Sequence, residues 1–300
     1  MRALVTGAGG FVAAHLITRL EAEDWSVGRV VRGGRTGTGE DFALGAGETT
    51  DFERVLEAYA PDVVYHLAGR MSGSAQEIYA ANVVLATNLL QAVANWRTPC
   101  PVILAGSAAE YGRVENSTVP VKEDDPCRPL TVYGVSKHAQ TLAGLAQAQS
   151  GLPVVIARIF NPLGTGMPGN LALPNFAAQI VASEVLQVGD LDVERDFVDV
   201  AEVARVMMAL ASNGAAYGKV FNVCSGEGFR LRRLVEDMIR LSGRDVRIEV
   251  DPARLRPNDV RALIGSTARL REAAIEIKAP DMDRLLMTIL ADATAKGGQG

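Results

Sequence analysis

Tyr133 and Lys137 stand four residues apart in the stretch "TVYGVSKHAQ". Residues four apart on a helix share a face, so a phenol and an ammonium would serve one spot. A phenol there can give a proton to a carbonyl oxygen or take one from an alcohol. A lone Tyr-x-x-x-Lys is also an ordinary helix start, so the rest of the chain decides its meaning. A second chemical stretch is "VTGAGGFVAAHL". Gly7 and Gly10 are spaced for a tight turn that lets the backbone approach a pyrophosphate. The helix beyond offers unpaired N–H groups and the positive end of its dipole. Ala13 takes the third position, usually glycine, and is small enough for close helix–sheet packing. The third stretch is "VVRGGRTG", where a second strand ends. NAD readers place an acid there for the ribose hydroxyls. No acid occurs between Val27 and Gly39, and Arg32 and Arg35 occupy the stretch instead. A guanidinium suits a 2′-phosphate, so NADP(H) is expected over NAD(H).

The elements that would position these residues alternate. "RALVTG", "SVGRVVRG", "VVYHLAG", "PVILAGS" and "LPVVIARIFN" are apolar runs of strand length. Between them lie helical patterns: "GFVAAHLITRLEAE", "DFERVLEAYAPD", "AQEIYAANVVLATNLLQAVANW" and "YGVSKHAQTLAGLAQAQSG". Continuous apolar strands alternating with helices predict an α/β fold with a doubly wound parallel sheet covered on both faces. After "GTGMPGNLALP" the order becomes less regular, which predicts a smaller lobe woven around a final return to the sheet by "KVFNVCSG". "ATAKGGQG" reads as a frayed tail.

The chain has 300 residues, 48% hydrophobic and 22% charged, which is enough for a sizeable core in one large domain or two lobes. A net charge of -5 excludes a basic footprint for nucleic acid or an acidic membrane. Three cysteines and three histidines are scattered, so neither a disulfide framework nor a metal site is expected. No apolar stretch approaches the ~20 residues that span a bilayer. "MRALVTG" is already a strand and no signal peptide is visible, so a cytoplasmic protein is expected.

The first glycines, with "HLAG", "GSAAEYG" and "YGVSK", resemble the extended short-chain dehydrogenase/reductase family. "ARIFNPLGTG", "VERDFVDVAEVA" and "RLRPNDV" look like its nucleotide-sugar branch, most like the GDP-4-keto-6-deoxy-D-mannose reductases. The resemblance runs to about residue 270 and implies a Rossmann-type sheet with a smaller C-terminal substrate-binding lobe. On it, residues 1–162 with 196–224 form the NAD(P)-binding domain, 163–195 with 225–293 the nucleotide-sugar lobe, and 294–300 a tail. It implies a catalytic set of Ser107, Tyr133 and Lys137, with Lys137 lowering the pKa of Tyr133 and reaching the nicotinamide ribose, and Ser107 bonding the substrate oxygen. Gly7, Gly10, Phe11 and Val12 would cover the pyrophosphate. Leu67, Ala68 and Gly69 would lie along the adenosine and ribose, with Asn82, Phe160 and, at the adenine, Thr49 also on the cofactor side. Asn161, Asn170, Leu171, Arg195 and Arg256 would meet the substrate, while Arg254 and Arg261 read as solvated charges. His66 reads as structural.

Three reactions are open within the branch, alongside a non-catalytic NADP-binding role. Dehydratases of this type carry extra acids just after the catalytic Ser/Thr. Here Ala108 and Ala109 stand there, and Glu110 is one residue late and would point elsewhere. That disfavours dehydration and leaves a 4-epimerase, which keeps NAD, or a 4-keto reductase, which uses NADPH once. The arginines after the second strand favour the reductase. Two departures from the pattern, Arg269 for a lysine and Ile277 for a tryptophan, leave the sugar and base open. The apolar helix from Ala75 to Trp96 and "AQTLAGLAQAQ" would form a homodimer interface by the same resemblance.

Overall fold

The computed structural model describes residues 1–32, 40–96, 98–114, 119–255 and 260–297. β1 (Arg2–Thr6) runs into Gly7 and α1 (Phe11–Ala22); β2 (Ser26–Arg32), β3 (Glu40–Leu44), α2 (Thr49–Tyr59) and β4 (Val63–His66) follow. One helical rod then covers α3 (Ala75–Tyr79), a π-helical turn (Ala80–Val84) and α4 (Leu85–Asn95). β5 (Val102–Ser107), α5 (Val132–Gln149) and β6 (Val154–Ile159) complete the regular alternation. Beyond them come β7 (Asn161–Leu163), α6 (Ala172–Ala182), β8 (Val185–Val188), β9 (Glu194–Arg195), β10 (Phe197–Asp199), α7 (Val200–Ala211) and β11 (Lys219–Val223). The chain ends with β12 (Phe229–Arg230), α8 (Leu231–Ser242), β13 (Arg247–Val250), β14 (Ala262–Leu263), α9 (Ala268–Glu272) and α10 (Met282–Gly297).

Among the described residues, seven strands form one parallel sheet in the order β3-β2-β1-β4-β5-β6-β11. This is the doubly wound Rossmann order with one more strand added at the end. β1 is flanked by β2 on one side and β4 on the other, so the chain reverses direction of winding there. The crevice above the carboxyl ends of β1 and β4 is the place where such sheets bind ligands. The fully buried strands β4 and β6 explain why the sequence shows continuous apolar runs. One core fills the face under α1 and α7, with Leu16, Ile103 and Met207; the other lies under α2, α4 and α5, with Leu56, Leu90 and Leu104.

A third core belongs to the smaller lobe. Leu173, Phe176, Leu186, Val235 and Leu286 join α6, α8 and α10 to the parallel pair β8–β13. β7 pairs with β10, and β9 lies between β12 and β14, so short strands stitch this lobe to the main sheet. Two elements differ from the sequence expectation. β3 was not visible: "EDFAL" is only half-buried and takes its strand form from the ladder with β2. The expected tail is helical through Gly297, with Thr294 Oγ1 donating to Leu290 O at 3.0 Å as part of α10. No described helix is long and apolar enough to cross a membrane.

Candidate active site

The site begins where β1 stops. Gly7 has a φ of 68°, a region in which L side chains are strained. A Cβ on Gly7 would stand 2.6 Å from the backbone N and Cα of Ala68, so only hydrogen fits. The loop after β1 is therefore pressed against Leu67 and Ala68, which follow β4. Gly10 N–H closes the turn on Gly7 O at 2.9 Å. Gly10 also caps α1 with no side-chain bond, which leaves the first N–H groups, those of Phe11 and Val12 among them, directed at the crevice. A Cβ on Gly9 would meet nothing within 4 Å, so the mouth of this cradle is open. An open cradle of backbone donors at a helix N-terminus fits the pyrophosphate of a dinucleotide. Ala13 is buried beneath it, as its small size suggested.

Ser107 ends β5 and caps a 3-10 turn, Ala108–Glu110. Its Oγ accepts the Ala109 N–H at 3.2 Å, while its own N–H donates to Glu110 Oε1 at 2.8 Å. α5 starts immediately against this turn. Thr131 Oγ1 accepts the Gly134 N–H at 3.0 Å, and a Cβ on Gly134 would lie 2.5 Å from Ala109 O. That close approach brings Tyr133 towards Ser107. One turn on, Lys137 is buried and its Nζ donates to Gln140 Oε1 at 2.8 Å. Ser107, Tyr133 and Lys137 are thus assembled at the carboxyl end of the sheet. Lys137 also reaches the β4 loop: a Cβ on Gly69 would be 3.7 Å from its Nζ.

Burial dominates the electrostatics of the site. Burial raises the Tyr133 phenol above its ordinary value; the Ser107 hydrogen bond opposes this and the charge of Glu110 adds to it. The nearest partner of the Lys137 ammonium is the Gln140 amide. Burial pushes Lys137 itself down to about 8, against the pull of Glu110. His66 is wholly buried, with Nδ1 2.8 Å from Thr6 Oγ1, and burial with the Lys137 charge pushes it down to about 3. A neutral, hydrogen-bonded core histidine agrees with its structural reading.

Glu110 does point away from the crevice. It is fully buried, and its Oε2 accepts Arg158 Nε at 3.2 Å and Nη2 at 3.0 Å. Burial pushes this carboxyl up, but His138, the Arg158 charge and the Ser107 N–H outweigh it and hold it below its ordinary value. Spacing in the sequence did not show that Glu110, Cys127 and His138 bring possible ligand atoms within 4.8 Å of one another. The guanidinium already held by that carboxylate repels a cation, so the trio does not suit a metal. The described cysteines Cys100, Cys127 and Cys224 are unbridged.

Other expected site residues fall in several places. Asn82 sits in the π-helical turn, fully buried, and bonds Arg70 N, Arg70 O and Ser136 Oγ at 2.7, 2.9 and 2.8 Å. It clamps the loop after Gly69; π-turns of this kind frequently occur at functional sites. Thr49 opens α2, whose cap is Glu48, and that carboxylate serves the helix's own first turn. Phe160 is buried beside Tyr111, with ring centroids 6.2 Å apart. Asn161 Nδ2 donates to Asp196 O at 2.7 Å, and Arg195 Nη1 to Val260 O at 2.7 Å and Glu194 O at 2.9 Å. Asn170 is exposed, and Leu171 caps α6 and packs on the small-lobe core with Phe11. Arg35 and Arg256 lie outside the described residues, as does the side chain of Arg32, whose backbone ends β2. Arg254 and Arg261 are surface partners of Asp251 and Asp190. Arg269, one of the departures, donates to Val220 O at 3.1 Å and pairs with Asp124, joining α9 to the sheet. Sequence reasoning missed Gln140, Ser136 and Arg158. For Gln140 a signal existed: it lies seven residues after Tyr133 and three after Lys137, on the same helical face.

A family model described as the NAD dependent epimerase/dehydratase family matches residues 3–224. A GDP-6-deoxy-D-mannose reductase of Pseudomonas aeruginosa is 33% identical over 286 residues, covering 90% of each chain. A UDP-glucose 4-epimerase of Corynebacterium glutamicum is 28% identical over 300 residues, covering 91% of this chain and 89% of that one. Among solved structures, RMD from Pseudomonas aeruginosa complexed with NADPH has a TM-score of 0.86 at 29% identity, covering 98% of this chain and 99% of that chain.

Proposed function

The chain belongs to the NAD dependent epimerase/dehydratase family and is an NAD(P)-dependent oxidoreductase, and from that premise we propose that it reduces the 4-keto group of a nucleotide-linked 6-deoxysugar with NADPH. The observation that carries this reading is the pairing of a protonated phenol with a sequestered acid. Tyr133 is held above its ordinary value by burial, so at neutral pH it is a proton donor, the form a reduction needs. Glu110, the acid nearest Ser107, is committed to Arg158 and to the Ser107 N–H. Ala108 and Ala109, which follow Ser107, offer no acid or base to expel water from the sugar.

In the proposed reaction Ser107, whose Oγ accepts the Ala109 N–H, directs its hydroxyl hydrogen at the C4 carbonyl oxygen. Tyr133 transfers its proton to that oxygen as the carbon gains a hydride, and the product is the alcohol. The nicotinamide, when bound, supplies the hydride. Gly7, Gly10, Phe11 and Val12 would hold the pyrophosphate; Leu67, Ala68, Gly69, Thr49 and Asn82 the nucleoside side; Lys137 and Phe160 the nicotinamide side. Arg32 and Arg35 would read the 2′-phosphate, a preference supported by the NADPH complex of the Pseudomonas aeruginosa protein. Asn161, Asn170, Leu171, Arg195 and Arg256 are proposed for the nucleotide sugar, a guanidinium being suited to its diphosphate. The lobe boundaries expected from the sequence are retained as part of this proposal. So is a homodimer through α3–α4 and α5, where Tyr79, Val84, Val135 and Leu142 are exposed apolar side chains.

The test offers NADPH and NADH in parallel, with GDP-4-keto-6-deoxymannose generated in place by a dehydratase. The expected result is rapid loss of NADPH absorbance that Tyr133→Phe abolishes. The 28% identity to a UDP-glucose 4-epimerase supports a second reading. No oxidation, with tightly held NAD and interconversion of an unreduced sugar nucleotide, would establish that one and overturn the first.

A further inference from the structure

Gln140 is fully buried on α5, one turn beyond Lys137, and makes two polar contacts of opposite sense. Its Oε1 accepts the Lys137 ammonium at 2.8 Å. Its Nε2 donates to the carbonyl of Ala105 at 3.2 Å. A primary amide has one accepting and one donating end. An ammonium only donates and a carbonyl only accepts, so only one orientation of the amide satisfies both. Ala105 lies on β5, two residues before Ser107, and α5 carries Tyr133 and Lys137. The amide therefore ties the strand that ends in the serine to the helix that carries the phenol and the ammonium.

A buried ammonium needs acceptors, and a carboxylate would bind it most tightly. The charged and titratable groups around Lys137 are arranged otherwise. Glu110, from the turn after β5, is held by Arg158 of β6. His66, at the end of β4, is bonded to Thr6. Tyr133 lies one turn before Lys137 on the same helix, and the neighbouring His138 stands 3.8 Å from Glu110. The contact next to the ammonium is thus a neutral amide. We propose that Gln140 is the positioning residue for Lys137: anchored on Ala105, its amide fixes where the ammonium stands relative to Tyr133 and the nicotinamide side of the crevice, and does so without adding a charge. This rests on reading the site as a Ser–Tyr–Lys reductase. Gln140 touches neither substrate nor cofactor, so its effect passes through Lys137.

The experiment uses the full chain with lysines labelled at Cε by 13C, since only five lysines are present. The Lys137 signal is assigned by its loss in Lys137→Met, and its titration is followed in the wild type, Gln140→Leu and Gln140→Glu. NADPH turnover is measured across pH in the same proteins. Removing a hydrogen bond to a charged group should shift the lysine by about one pH unit. Gln140→Leu should move the Lys137 titration downward by that amount and Gln140→Glu should move it upward. In Gln140→Leu, kcat should fall about tenfold with the sugar KM little changed, and the matching limb of the pH–rate profile should move with the lysine. Should Gln140→Leu fail to fold, Gln140→Glu still reads the upward shift. Unmoved Lys137 titration and pH profiles in the folded variants, with only a lower Tm, would overturn the proposal and leave Gln140 a packing residue. If the wild type reduces no 4-keto sugar, the reaction reading fails by itself. The lysine titration, which needs no substrate, still decides the role of Gln140.

Discussion

Arg158→Met probes the support beneath the catalytic serine. Glu110 is wholly buried, and Arg158 supplies two of its hydrogen bonds, at 3.2 and 3.0 Å, while the guanidinium lies over the Tyr111 ring at 4.5 Å. Methionine keeps most of the packing against Tyr111 but leaves a buried carboxylate without its cation. Breaking a buried pair on one side costs about 3–5 kcal/mol. With an unfolding entropy of about 2 cal/mol/K per residue, a chain of this length should lose about 5–8 °C in Tm. The pH dependence separates charge from shape. In the wild type the folded Glu110 lies below its ordinary value, so its contribution is present at neutral pH and is lost as pH falls through that folded value. Without Arg158, burial dominates and the carboxyl rises, so the penalty is full at neutral pH and shrinks as the acid takes up a proton. The Tm deficit should therefore be larger at about pH 7.5 than at about pH 5. The double variant Arg158→Met/Glu110→Gln, which leaves no charge at this pair and can still accept the Ser107 N–H, should recover most of the loss. Thermal melts followed by circular dichroism at the two pH values test all three statements. A deficit equal at both, or a double variant as unstable as the single, would refute the reasoning.

Gly7→Ala should weaken NADPH binding at least tenfold by fluorescence titration, because a Cβ meets the Ala68 backbone at 2.6 Å in a strained φ region; unchanged binding would remove the loop from the cofactor site. His66, driven down to about 3, takes up protons more readily unfolded than folded between pH 3 and its ordinary 6.5. Stability should fall with acid through that window, and His66→Gln, if folded, should flatten the slope in melts across it. Val84→Glu with Leu142→Glu should convert a homodimer to a monomer in light scattering while leaving the far-ultraviolet spectrum unchanged; an unaltered mass would place the interface elsewhere.

Local patterns were enough to derive much of this protein. The apolar runs and helical spacings of the first 160 residues report burial on both faces of a sheet, a property written into each segment by its own side chains. Gly7, Gly10 and the step from strand to helix are equally local, as are Tyr133 and Lys137, whose spacing alone puts them on one face. β3 escaped notice because its five residues alternate weakly and owe their conformation to β2. The site's electrostatics escaped for a related reason. The Lys137 ammonium is bonded to Gln140, and Gln140 in turn to Ala105, 35 residues away. Glu110 became a buried support through Arg158, 48 residues distant, and Arg195 was engaged by the carbonyl of Val260, 65 residues on. The sequence by itself determined which chemical groups the site contains and the order of the elements that carry them. Only the tertiary structure decided which of those groups are held by partners and how far burial shifts their protons, because desolvation and hydrogen bonding are set by whatever distant chain is folded against each side chain.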